Sequence, residues 1–220
     1  MRLTRDPDRV AWQSLGNKTE PYDELVYILL TLMTRSQARL DRAFEGLHSA
    51  TGQSWSYLSE VPPEDLHAIL APLGFANRRA EQLLGCVRRI EDDLGGTLEP
   101  LREWSDEDAL AYLISLPGVG TKTAKCVMMY SLGRQVFPVD IHVLRVAKRL
   151  GWVPMDASWT EADRLLEQIV PDELKFDLHV LVVVHGREVC KSRDPQCDDC
   201  VLADICPSSH DTPRLRADFV

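Results

Sequence analysis

The sequence predicts an all-α protein, and three observations carry that prediction. Apolar residues recur at helical spacing in one segment after another, the links between these segments are short, and few stretches alternate as a half-buried strand would. Together these patterns give about ten helices and no period that repeats along the chain.

Residues 1–21 contain Pro7, Gly16 and Pro21 with little periodicity, and read as an irregular arm holding one short helix at most. From Tyr22 to Met33 the run Leu25-Val26-Tyr27-Ile28-Leu29-Leu30-Thr31-Leu32-Met33 is apolar nearly all round, which suits a helix at the centre of a helical core, with a buried strand as the alternative. Ser36–Leu47 is amphipathic, Glu64–Leu70 follows Pro62-Pro63, and Ala76–Leu94 is a long helix stopped by Gly95-Gly96. Asp106–Ser115 has acids in its first turn and apolar residues at helical spacing, so it should run directly into Leu116-Pro117-Gly118-Val119-Gly120. That turn leads to a helix starting near Thr121. Asp140 precedes Ile141-His142-Val143-Leu144 as an N-cap, and this helix ends in Lys148-Arg149 before Gly151. Ser158 opens a helix to about Val170, and Pro171, at the first helical position, starts another running to His185-Gly186.

The chain has 220 residues, 45% of them apolar and 27% charged, which is enough for one large or two small cores and excludes disorder on a large scale. No apolar run approaches the roughly 18–20 residues of a membrane span, and no apolar signal segment follows Met1-Arg2-Leu3-Thr4-Arg5-Asp6-Pro7, so a cytoplasmic protein is expected. The net charge of −9 argues against a nucleic-acid partner until its distribution is considered. Residues 116–152 hold six basic side chains against Asp140 alone. Residues 74–90 set Arg78, Arg79, Arg88 and Arg89 against Glu81, whereas 91–109 carry eight acids against Arg102. A basic footprint over 116–152 is therefore expected, with solvated helix faces as the plainer alternative, above all for 74–90.

The glycines of Leu116-Pro117-Gly118-Val119-Gly120 allow a tight reversal whose N–H groups point outward at a helix N-terminus, which is an anion site suited to phosphate. For a lone Gly-x-Gly turn an ordinary helix cap is the plainer reading. Lys122 falls in the first turn of the following helix, where the dipole and desolvation disfavour the ammonium form and an amine can act as a nucleophile. Taken alone, Lys122 reads as a solvated lysine and Asp140 as a cap.

Four of the six cysteines, Cys190, Cys197, Cys200 and Cys206, form C-x6-C-x2-C-x5-C on a short loop. Disulfides are improbable in a cytosolic chain, so four thiolates so close together ask for a soft metal. The spacing fits a zinc ribbon poorly and departs from the bacterial ferredoxin run, although Cys206-Pro207 echoes its end. Cys86 and Cys126 have apolar neighbours and read as core residues.

The order Leu-Pro-Gly-Val-Gly-x-Lys-Thr-Ala at 116–124, Val-Asp-x-His at 139–142, Pro171–Asp177, His185-Gly186-Arg187 and the cysteine cluster resembles the endonuclease III family of helix-hairpin-helix DNA glycosylases, over roughly residues 22–207. The resemblance implies two lobes: residues 22–134 as a six-helix lobe containing the hairpin, and 1–21 with 135–220 as a second helical lobe carrying a 4Fe-4S cluster at 190–206. It implies base-excision repair of duplex DNA containing a damaged base, first of all an oxidised pyrimidine, or an abasic site. The catalytic pair would be Lys122 as Schiff-base nucleophile and Asp140 as stabiliser of the sugar cation. Gly118, Val119, Gly120, Thr121 and Arg145 would meet DNA. Lys191 and Arg193, on the loop between the first two cysteines, are positioned for phosphate. Phe75 is the expected wedge into the duplex, with a core aromatic as the alternative, and Met33 stands where the family has a gap-filling glutamine. Thr121 replaces a common arginine. A monomer acting at the nucleoid is expected. The departures keep a damage sensor with weak chemistry and a mismatch-specific glycosylase open, while an iron-sulfur electron carrier would need neither hairpin nor lysine.

Overall fold

A computed structural model describes Leu15, residues 17–31, Thr34 and residues 36–209. Met33 and the arm before Leu15 lie outside the described residues. The chain divides into two compact units, one of Gly16–Arg134 and one of Met1–Leu15 with Gln135–Val220. Among the described residues the regular structure is helical, with no strand.

The first unit contains α1 (Pro21–Leu30), α2 (Gln37–Ala50), α3 (Pro63–Leu70), α4 (Ala76–Leu94), α5 (Asp106–Ser115) and α6 (Thr121–Tyr130), with single 3-10 turns between some of them. The expected apolar-all-round helix is α1. Proline at its first position is preorganised for a helix start, and every residue except Asp23 is buried. Its end comes where the Thr31 hydroxyl donates back to the Ile28 carbonyl at 2.6 Å. It packs against α6, α2 and α4. Leu25, Tyr27 and Leu30 of α1 are fully buried, as are Leu47, Leu70, Leu83, Ile90 and Leu113 elsewhere in this unit. Each such side chain contributes about 1.5–3 kcal/mol relative to exposure, so α1 is the axis of this unit. Phe44 packs edge-on against Tyr27 and is tilted against Trp55.

The second unit holds α7 (Ile141–Arg149), α8 (Trp159–Ile169) and α9 (Asp172–Glu188). The sequence placed Pro171 inside α9 and ended the helix at Gly186. In the structure Pro171 is the cap residue and the helix runs two residues further, to Glu188. Gly186 does not stop the helix because it serves a packing contact: a Cβ there would come 2.9 Å from the His142 Cβ on α7. No helix is long and apolar enough to cross a membrane among the described residues.

Candidate functional site

The hairpin rests on α4. Gly118 has φ +77°, and a Cβ on it would lie 2.6 Å from the Gln82 amide nitrogen. At Gly85 the missing side chain lets Pro117 lie against the helix, since a Cβ would be 3.0 Å from its ring. Cys86 donates to the Pro117 carbonyl at 3.1 Å, and burial pushes its thiol up to about 12, so it remains a protonated structural thiol.

Val119 differs from the sequence expectation. Its side chain is buried and its amide donates to the Leu116 carbonyl at 3.1 Å, so it closes the turn instead of facing a ligand. Gly120 is also different from Gly118. It is extended, with φ −99°, and a Cβ there would meet nothing within 4 Å. No side chain caps the helix that follows, so the α6 N-terminus opens beside exposed Gly120 and Thr121.

Lys122 is half-buried in the first turn of α6. On α1, Glu24 is 0% exposed. One carboxyl oxygen accepts the Lys18 amide at 2.6 Å and the other has no hydrogen-bond partner. Burial pushes this carboxyl from 4.5 up to about 8, against the lowering effect of the Lys18 amide and the nearby charges of Lys122 and Lys18. The sequence hides Glu24 because it sits in an apolar run, one residue after Asp23, where an acid reads as first-turn dressing.

Phe75 is 64% exposed, which excludes the core-aromatic alternative. It is held at φ +54° after Gly74 at φ +77°. A left-handed non-glycine residue costs about 1–2 kcal/mol, and a clamp holds it in place. Arg79 is 3% exposed. Its Nε donates to Gly74 (2.8 Å), one terminal nitrogen to Leu29 and Leu30 (both 3.2 Å), and the other to the Thr34 hydroxyl (3.2 Å) and Leu73 (3.3 Å). One buried guanidinium thus ties the Phe75 turn to the end of α1.

In the second unit Asp140 is the N-cap predicted from sequence. Its Oδ1 accepts from the His142 and Val143 amides, each at 2.8 Å. The segment leading to it is fastened on both sides. Lys175 donates to the Gln135 carbonyl (3.0 Å) and pairs with Glu167 (2.6 Å), the Phe137 amide donates to Glu167 (3.1 Å), His179 contacts the Pro138 carbonyl (2.8 Å), and Trp159 donates to Val139 (3.1 Å). Burial lowers the His142 imidazole first of all, so it is neutral around pH 7.

The basic footprint expected over 116–152 is mostly not a surface. Lys125, Arg145, Lys148 and Arg149 are all under 10% exposed. Arg145, expected to meet DNA, donates instead to the carbonyls of Cys190 (2.9 Å) and Gly186 (2.6 Å). Arg134 donates to the carbonyls of Leu101, Arg102 and Trp104. Guanidinium groups satisfy several carbonyls at once, and a count along the sequence cannot tell that use from a phosphate contact. Lys191 and Arg193 remain exposed.

All four clustered cysteines are unpaired and half-buried. Arg149 donates to the Cys190 sulfur (3.1 Å) and the Lys191 carbonyl (2.8 Å), and the Cys206 thiol donates to the Arg149 carbonyl (3.5 Å). The His185 ring lies 3.6 Å from the Cys200 sulfur. Burial raises the Cys197 thiol, as do Cys190, Cys200 and Cys206, so the four sulfurs lie within electrostatic reach of one another. Among the described residues no group of three or more His, Cys, Asp or Glu stands in a metal-ligand arrangement. The donor chemistry and shared neighbourhood suit a thiolate-bound metal group, although the sulfurs do not converge as ligands.

Residues 33–172 match the family model of the HhH-GPD superfamily base excision DNA repair proteins. A protein of Arabidopsis thaliana provisionally named a DNA glycosylase is 35% identical, the match covering 84% of this chain and 67% of that one. Endonuclease III of Thermotoga maritima is 29% identical over 86% of this chain and 84% of its own. Among solved structures, a non-covalent endonuclease III–DNA complex superposes with a TM-score of 0.76 at 28% identity, covering 88% of this chain and 86% of that one.

Proposed function

The chain belongs to the endonuclease III family of helix-hairpin-helix DNA glycosylases, and we propose that it is bifunctional, removing a damaged base and then cutting the strand through Lys122. The observation that carries this reading is a half-buried lysine in the first turn of an uncapped helix, directly after a glycine turn open to phosphate. Gly118, Gly120 and Thr121 hold the backbone phosphate of duplex DNA, and exposed Phe75 fills the space left when a nucleotide is turned out.

As a neutral amine, Lys122 attacks C1′ of the exposed sugar while the bond to the base breaks and the base leaves with a proton. Asp140 stabilises the positive charge developing on the sugar. Loss of the ring oxygen bond leaves a Schiff base, which acidifies the C2′ hydrogen. Removing that proton expels the 3′ phosphate by β-elimination, and water then releases Lys122. Oxidised pyrimidines are the substrate class we assign, and a panel of defined lesions in duplex DNA tests it.

Cys190, Cys197, Cys200 and Cys206 are the residues that would hold a 4Fe-4S cluster, with Arg149 beside them. The support is their thiol chemistry and mutual proximity. Bound there, the cluster would staple the 190–206 loop and fix Lys191 and Arg193 for phosphate, without taking part in base excision. Protein purified anaerobically should carry about four iron and four sulfide per chain. Stoichiometric zinc without iron would remove this assignment.

The mechanism is tested with duplex DNA containing a preformed abasic site. Borohydride should trap the wild-type chain covalently and trap nothing with Lys122→Gln, which still binds the duplex. Covalent trapping by the Lys122→Gln protein would overturn the assignment.

A further inference from the structure

Phe75 is a large apolar side chain left 64% exposed on a left-handed backbone that glycine would adopt without strain. Neither feature favours folding, since burial would stabilise the ring and a Cβ is crowded in that conformation. Strain of this kind persists only where the surroundings over-determine it, and it gathers at functional sites. Around Phe75 a single residue supplies much of that restraint. The Arg79 amide donates to the Phe75 carbonyl at 3.0 Å, and its side chain takes the two carbonyls before Phe75, Gly74 through Nε at 2.8 Å and Leu73 through a terminal nitrogen at 3.3 Å. The turn is therefore gripped on both sides of Phe75.

The remaining contacts of the guanidinium lie at the end of α1. Leu29 and Leu30 contribute two of the last carbonyls of that helix, which a helix cannot satisfy from within, and one Arg79 nitrogen donates to both at 3.2 Å. The nitrogen that holds Leu73 also donates to the Thr34 hydroxyl at 3.2 Å, and that hydroxyl donates to the Leu30 carbonyl at 3.2 Å. A residue that only capped α1 would have no need of Gly74 and Leu73, and one that only shaped the turn would have no need of α1. A guanidinium serves both because its donors leave one rigid plane in several directions. At 3% exposure it is not itself presented to a phosphate.

We propose that Arg79 is a positioning residue for DNA engagement: it fastens the left-handed Phe75 turn to the end of α1 and so holds the ring ready to enter the duplex where a nucleotide is turned out. The proposal rests on the reading of Phe75 as the side chain that fills that space, and adds what fixes it. A ring and turn ordered before DNA arrives lose less freedom on insertion, so the restraint appears as tighter binding and fuller insertion.

The test uses the full chain and a duplex carrying a tetrahydrofuran abasic analogue opposite 2-aminopurine, whose fluorescence changes when a side chain disturbs its stacking. The analogue forms no Schiff base, so the signal does not depend on Lys122. Amplitude is read at saturating protein, where weaker binding alone does not alter it. Phe75→Ala should abolish most of the change. Arg79→Lys keeps the charge and a long stem but offers a single nitrogen, so it should lose about half of the amplitude or more. In affinity for the same duplex it should cost about fivefold with Phe75 present and less than about twofold in the Phe75→Ala background, because residues acting as one unit are not additive. Thr34→Val is the second variant, for the case that Arg79→Lys does not fold. It leaves Arg79 and its carbonyl contacts in place, removes only the hydroxyl, and should cost about threefold in affinity with Phe75 present and nothing without it. A wild-type amplitude for Arg79→Lys, or an affinity loss in either variant that is absent or equal in the two backgrounds, would overturn the proposal. If Phe75→Ala itself keeps the wild-type amplitude, the reading of Phe75 fails and the proposal falls with it. If Phe75→Ala loses the amplitude while Arg79→Lys keeps it, only the role of Arg79 fails.

Discussion

The N-termini of α6 and α7 begin in opposite ways. At α7 the Asp140 carboxylate takes two backbone amides at 2.8 Å. At α6 the cap is Gly120, which has no side chain to accept from the amides. Both ends carry the same partial positive charge, but one is neutralised from within and the other is left for an outside anion. The difference bears on the proposed chemistry: the carboxylate assigned to the sugar cation also caps a helix, so its loss must be read in both activity and stability, whereas Gly120 at the hairpin supports no cap.

The largest effect should come from separating those two roles of Asp140. Asparagine caps about as well as aspartate, so Asp140→Asn should fold normally while base release falls by about 10²–10³ in a glycosylase assay. Asp140→Ala should in addition lose roughly 1 kcal/mol in denaturant unfolding. An Asp140→Asn protein that fails to fold would confine the residue to capping.

Next in size is the pair of hairpin glycines. Gly118→Ala puts a side chain at φ +77° against Gln82, and should cost about 1–2 kcal/mol as well as weakening duplex binding. Gly120→Ala should change stability by less than about 0.5 kcal/mol, because its backbone is extended and its surroundings are open, yet still weaken binding through the blocked approach of phosphate. Equal stability losses in the two variants would contradict this contrast.

A pH-dependent effect concerns Glu24. Its folded pKa of about 8 stands above the ordinary 4.5, so between those values the folded state binds more protons than the unfolded one. Stability therefore falls as pH rises through that window, by at most about 1.4 kcal/mol per unit from this group. Glu24→Gln should flatten the decline, as read from urea midpoints at pH 5, 7 and 8.5. Parallel curves for the two proteins would place Glu24 outside the titrating set.

The sequence by itself determined a good deal. Helix spacing and punctuation gave α4 and α5 to the residue, because Gly95-Gly96 and the acidic first turn are local signals. The Asp140 cap was legible for the same reason, since a cap bonds two or three residues away. Membership of the family was legible in the ordered motifs from Leu116 to His142, which a match over residues 33–172 confirms.

Tertiary structure alone decided what needed a distant partner. Val119 turned inward, and Phe75 stands exposed on a turn that Arg79 clamps through carbonyls up to 50 positions away. Four basic residues counted toward a DNA face are buried, and two of them, Arg145 and Arg149, satisfy carbonyls supplied by other segments. Gly85, unremarkable in sequence, and Gly186, read there as a helix end, are required by Pro117 and His142. Glu24 could not be found along the chain at all. Its displaced pKa comes from burial, and that burial exists only once the helices pack.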